Sequence, residues 1–330
     1  MMTTMEEQRR QVIRPARFSS SPLSTASRRT TTGEVSTPAG RTTTVQGLLS
    51  ALTLAEVGPD HYRGGSVTMN LLHLFGGQVL GQALVAASKT IDTDKTAHSL
   101  HAYFLRAGNT REPIDYVVER VRDGRRLACR SVSAIQGGKA IATVLISFAA
   151  TSGGVDHQRQ PPGHPGPDEV PTLELAAQSW GGLGPSWSGF EAIDIRVEPS
   201  RRHPDENGAA RAEDSADFIW MRATAQLPPD PVLHQAVLAY LSDIMPLAAS
   251  LVPHGVPLGQ DEGDGRKWDG VSLDHAIWFH RPVRVDDWLL FDQVSPFAGS
   301  GRSLTNAQIF TEDGVLVASV AQEGLIIELE

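Results

Sequence analysis

Phe104-Leu105-Arg106-Ala107 and Phe279-His280-Arg281-Pro282 each close a hydrophobic, strand-like run, and the stretches after them share one pattern. Gly124-Arg125-Arg126-Leu127 comes 18 residues after Arg106, and Gly301-Arg302-Ser303-Leu304 comes 20 after Arg281. Gly138 lies 14 residues beyond Gly124, ahead of the apolar run from Ala140 to Ile146. Gly314 lies 13 beyond Gly301, ahead of the run from Val315 to Val320. Turn glycines and strand spacings that recur to within a residue or two mark one module used twice.

One helical segment precedes the strands of each copy. From Gly77 to Ser88, apolar Val79, Leu80, Ala83, Leu84 and Ala87 fall at helical spacing. From Val232 to about Leu247 the stripe is Leu233, Val237, Leu241 and Ile244. A long helix followed by a meander of long strands is an α+β order, distinct from the alternating βαβ of a parallel sheet. Two modules are therefore expected over residues 45–150 and 189–330. Between them, 151–188 reads as a link, because Gln160-Pro161-Pro162-Gly163-His164-Pro165-Gly166-Pro167 breaks both helix and strand, with some helix expected at Thr172 to Ser179. Residues 1–44 are Ser/Thr- and Arg-rich, with one aromatic, Phe18. That composition predicts a disordered extension, with an organelle transit peptide as the alternative reading.

The totals exclude several classes of function. A formal net charge of −9 and no basic stripe interleaved with aromatics argue against nucleic acid. The longest nearly unbroken apolar run, Ala140 to Ala150, falls short of the roughly 18 residues needed to cross a bilayer, so no membrane span is expected. Cys129 is the only cysteine; it precludes an intrachain disulfide, fits a reducing, cytoplasmic compartment, and reads as a structural thiol in a strand. No Gly-x-Ser-x-Gly elbow, His-Glu-x-x-His or paired Cys-x-x-Cys is present, so neither a serine nucleophile of that type nor a metal site has support. Gly76-Gly77-Gln78-Val79-Leu80-Gly81 reads as a helix start packed tightly through its glycines. Its free N–H groups could also serve an oxyanion or a phosphate.

Three polar residues of the second module stand in apolar company. Asp243 lies towards the end of the helical stretch, Ser272 opens the strand Ser272 to Phe279, and Gln322 comes after Val320-Ala321 in the last strand. Asp274 and His275 form a rival pair. Neighbours in a strand point to opposite faces, however, which keeps those two from acting on one substrate atom.

The segments Phe75 to Ala83, His98 to Arg106, Tyr240 to Asp243, Leu273 to Pro282 and Asp313 to Gly324 together resemble the type II acyl-CoA thioesterase family, over about Thr44 to Glu330. The resemblance implies a double hotdog: two antiparallel sheets, each wrapped around a central helix. It implies hydrolysis of fatty acyl-CoA by an activated water, no metal or organic cofactor, and a homo-oligomer, dimer or tetramer. Its catalytic trio of Asp, Thr and Gln falls on Asp243, Ser272 and Gln322, with serine in the threonine position. Serine keeps the hydroxyl and loses the methyl that stiffens χ1. The first module offers no carboxylate from Gln78 to Thr90, which implies one active site per chain. A non-catalytic acyl-CoA-binding module on the same fold is the alternative; a hotdog dehydratase lacks its motif.

Overall fold

The computed structural model describes residues 44–198 apart from 67, 68, 70, 72 and 93, residues 217–256 apart from 245 and 255, and residues 268–328. The N-terminal segment expected to be a disordered extension lies outside the described residues, except for Thr44.

The first module begins with α1 (Val45–Leu52), whose N-terminus is capped by Thr44 Oγ1 accepting from the Gly47 N–H at 3.1 Å. A hairpin of β1 (Leu54–Gly58) and β2 (His61–Gly64) comes next, then the central helix α2 (Gly76–Ser88). The meander is β3 (Lys95–Phe104), β4 (Ile114–Asp123), β5 (Leu127–Gln136) and β6 (Lys139–Ala150). The β5–β6 turn places Gly137 and Gly138 at φ +53° and +74°, a region that favours glycine. Gly314, at φ +85°, does the same in the second module.

A short helix α3 (Leu173–Ala177) precedes that second module, which contains β7 (Ile193–Val197), β8 (Asp217–Ala223) and the central helix α4 (Pro231–Leu241). After α5 (Pro246–Ala249) come β9 (Trp268–Ser272), β10 (Asp274–Phe279), β11 (Leu289–Gly299), β12 (Arg302–Thr311) and β13 (Leu316–Glu328). The helix expected to run to about Leu247 ends at Leu241. Pro246, with no N–H to donate and a ring that crowds the preceding turn, starts a separate short helix instead.

The two sheets join edge to edge. Strands run in the order β1-β2-β4-β5-β6-β3-β10-β13-β12-β11-β8-β7 in one antiparallel sheet, with β9 pairing β13. The seam is β3 against β10, and His101 faces Ala276 across it. Inside, α2 and α4 pack against each other with most residues of each buried, as helices with little polar surface must be. Glycines set their separation: a Cβ at Gly77 would meet the Tyr240 carbonyl oxygen at 2.5 Å, and one at Gly81 the Ala236 carbonyl oxygen at 2.9 Å. The helices are therefore antiparallel, with the start of α2 against the end of α4. The helical stretch Pro231–His254 is long and apolar enough to cross a membrane by length and composition, but 88% of its apolar window is buried in this interior.

The segment 151–188 lies along the second module. Gln158 donates to the Gly314 carbonyl at 2.8 Å and accepts from the Leu316 N–H at 3.2 Å. Arg159 pairs with Asp292 at 2.9 Å, and His164 stacks on Phe218 with ring centroids 4.2 Å apart. Thr172 caps α3, which lies where helix was expected and buries Leu173 and Ala176 in the main core.

Candidate active site

Asp230 caps α4 by accepting from the Val232 N–H at 2.9 Å, and Pro231 occupies the first helical position, where its missing donor costs nothing. Eleven residues later the helix stops, and Asp243 sits in the turn just past it rather than within the helix. Its side chain is only 4% exposed. One carboxyl oxygen, Oδ1, is buried with no hydrogen-bond partner among the described residues. Burial raises this carboxyl from its ordinary 3.8 to about 7, although the backbone N–H of Gly77 and the side-chain amide of Gln322, both turned towards it, pull the other way.

Ser272 closes β9 instead of opening the next strand; Leu273 forms the corner, and Asp274 opens β10. The corner is tied down from both sides. The Leu273 N–H donates to the Glu323 carbonyl at 2.9 Å, and the Phe104 N–H donates to the Leu273 carbonyl at 3.0 Å. Gln322 is buried on β13, and its Nε2 donates to Ser272 Oγ at 2.7 Å. The structure thus brings Asp243, Ser272 and Gln322 together.

It also brings in His275, which alternation along the strand had set aside. Asp274 and His275 do point to opposite faces. Asp274 Oδ1 accepts from the Glu323 N–H at 2.8 Å, while His275 faces inward with a side chain fully shielded from solvent. Its Nδ1 lies against Gln322 Oε1 and 3.8 Å from Asp243 Oδ1, and its Nε2 is 2.9 Å from Ser242 Oγ. Burial lowers its pKa to about 4, so the ring is neutral near pH 7 and the contact with Asp243 is no ion pair there. The sequence signal for His275 is its place beside Asp274 in an apolar strand; the pairing of β10 sets which of the two faces inward.

The first module lacks these groups at the matching places. The spacing that aligns Phe104 with Phe279 also aligns His101 with Ala276, which face each other at the seam. In that register Ala97 stands where Ser272 does and Leu100 where His275 does. Ile146, the strand partner of Leu100, occupies the place of Gln322. All three are buried. Cys129, half-buried on β5 with its thiol pushed up by burial, lies in this first module.

An antiparallel sheet wrapping paired central helices is a double hotdog, and this one holds a buried carboxyl beside a serine and a glutamine. Residues 66–149 match the family model of the acyl-CoA thioesterase N-terminal domain and residues 167–326 that of the C-terminal domain. Human acyl-coenzyme A thioesterase 8 is 34% identical over 288 residues, covering 84% of this chain and 88% of that protein. The solved acyl-CoA thioesterase II TesB2 from Mycobacterium marinum superposes with a TM-score of 0.70 at 38% identity, covering 85% of this chain and 98% of that one. A hot dog fold protein from Alicyclobacillus acidocaldarius, 18% identical with a TM-score of 0.67, shares the fold over 85% of this chain and 98% of its own. The chain belongs to the acyl-CoA thioesterase family.

Proposed function

We propose that the chain hydrolyses fatty acyl-CoA to free fatty acid and CoA by direct attack of water, with Asp243 as general base. The observation that carries this reading is the buried carboxyl itself: an oxygen without a partner, on a group whose ordinary acidity is weakened to about 7. A base of that strength accepts a proton near neutral pH and contributes typically ~10²–10⁴-fold in rate. Ser272 and Gln322, already hydrogen-bonded to each other, hold the water and fix its approach. Water's oxygen bonds to the thioester carbonyl carbon, its proton passes to Asp243, and the C–S bond breaks to release CoA thiolate. The N–H of Gly77 faces Asp243 and steadies the base. A non-catalytic acyl-CoA binder would need none of this chemistry.

Two expectations extend the proposal. A reducing, cytoplasmic setting suits a chain with one cysteine. A homo-oligomer suits the outer face of the seam, where Tyr103, Trp278 and Leu145 are exposed on neighbouring strands. Free-thiol release from acyl-CoA substrates of increasing chain length tests the activity. Rapid mixing should show no burst of CoA, and mass spectrometry no acylated protein. Binding without thiol release, or an adduct on a serine or on Cys129, would refute the mechanism.

A further inference from the structure

Four side chains form one line through the site, buried up to the half-buried Ser272: Ser242 Oγ 2.9 Å from His275 Nε2, His275 Nδ1 against Gln322 Oε1, and Gln322 Nε2 2.7 Å from Ser272 Oγ. Each link needs one donor and one acceptor, so the line can be solved for its protons. The Gln322 side chain reaches towards Asp243. An ionised carboxylate only accepts, so the end of the amide on that side is the NH₂. Its carbonyl oxygen then faces His275, and Nδ1 must carry a proton. A neutral imidazole has only one, so Nε2 is bare and accepts from the Ser242 hydroxyl. The competing acceptor for that hydroxyl, the Ala239 carbonyl at 3.0 Å, then goes without it. In the other tautomer a bare Nδ1 would oppose the glutamine carbonyl, and the amide would turn over to present its oxygen to Asp243.

We propose that His275 is a positioning residue that locks the Gln322 amide with its N–H groups towards Ser272 and Asp243. It touches neither water nor substrate in this role. Ser242 selects the tautomer, His275 transmits the choice, and Gln322 delivers it to the base and to the hydroxyl. The proposal rests on Asp243 being the base of the site. Among the described residues the titratable group beside Asp243 is His275, from β10; α2 presents the Gly77 N–H and β13 the Gln322 amide. With the amide reversed, a carbonyl dipole would face the carboxylate and make it harder to ionise.

The test compares His275→Leu with His275→Asn in the full chain. Leucine is the residue the first module has at this place, and asparagine supplies an N–H close to where Nδ1–H was. For His275→Leu, kcat at pH 8 should fall about 10-fold or more with KM within about 2-fold, and the acid limb of the kcat–pH profile should move up by about one pH unit. His275→Asn should restore both the rate, to within about 3-fold, and the limb. Should His275→Leu not fold, Ser242→Ala reads the same device, since a freed tautomer should also raise the acid limb. A wild-type rate and limb in His275→Leu, equal impairment of both histidine variants with an unmoved limb, or an unmoved limb in Ser242→Ala would each overturn the proposal. Asp243→Asn separates the two levels. If it is fully active, Asp243 is not the base and the site reading fails. If it is inactive while His275→Leu behaves as wild type, only the role of His275 fails.

Discussion

Replacing Asp243 with asparagine should cripple the enzyme and, at the same time, make its stability less sensitive to pH. A carboxyl held at about 7 in the folded chain and near 3.8 when unfolded keeps its proton longer in the folded state. Between those values the folded state binds more protons, so stability falls as pH rises through the window and levels off above about 7. At about 1.4 kcal/mol per pH unit the full loss is ~4 kcal/mol, of which about two-thirds falls between pH 5 and 8.5. Asparagine has no proton to lose. The difference in stability between Asp243→Asn and wild type should therefore grow with pH across that range, seen by circular dichroism as a relative change in Tm on the order of 4 °C. The amide's own packing adds a constant to the gap and leaves its pH dependence untouched. Over the same range kcat should be down by about 10²-fold or more, with KM little changed. A gap that stays flat with pH would refute the buried-carboxyl argument, and retained activity would remove Asp243 from the chemistry.

Ser272→Thr should be tolerated because the hydroxyl that accepts from Gln322 is kept, while Ser272→Ala should cost about 10-fold or more in kcat; equal rates for all three would take Ser272 out of the site. At Gly76 a Cβ would lie 2.6 Å from Asp243 Oδ2 and 2.9 Å from the Phe104 ring, so Gly76→Ala should displace the base and lower kcat by about 10-fold or more. An unchanged rate would show that the carboxyl has room to spare. Tyr116→Phe removes a fully buried hydroxyl that donates to Gln82 Oε1 at 2.6 Å, and should cost ~1–3 kcal/mol in chemical denaturation with kcat unaffected. A loss of activity there would tie the first module's polar core to catalysis.

Much of this architecture was legible in the chain because local chemistry dictates it. Gly138 and Gly314 mark turns where φ is positive, and the apolar spacing of Val79, Leu80, Ala83 and Leu84 marks α2. The hidden part depends on pairings between segments far apart. Alternation correctly put Asp274 and His275 on opposite faces, yet only the contacts of β10 with β3 on one side and β13 on the other turn His275 inward. The fusion of two sheets into one depends on that same seam. The Pro-rich link showed irregular backbone in its composition, but not that Gln158 and Arg159 would bind it along the second module. Asp243 was legible as a residue and misplaced by a turn, because Pro246 splits the helix that the apolar stripe seemed to continue.

The unequal fates of the two modules result from the demands of burial. A buried line of serine, histidine and glutamine is stable only while every donor finds its acceptor, and one missing partner costs ~1–3 kcal/mol. At the matching places the first module has Ala97, Leu100 and Ile146, and fully burying an aliphatic side chain the size of leucine or isoleucine is worth roughly 1.5–3 kcal/mol with no pairing condition attached. Only the module that uses the polar set has reason to keep it. The first module still serves the site through its backbone. Gly77 and Gly81 let α2 approach α4 closely enough that the Gly77 N–H faces Asp243, a backbone donor that only proline at this position would remove. On the proposed mechanism one module contributes the acid–base chemistry and the other the helix terminus that holds it, so a single chain with two like halves needs only one centre.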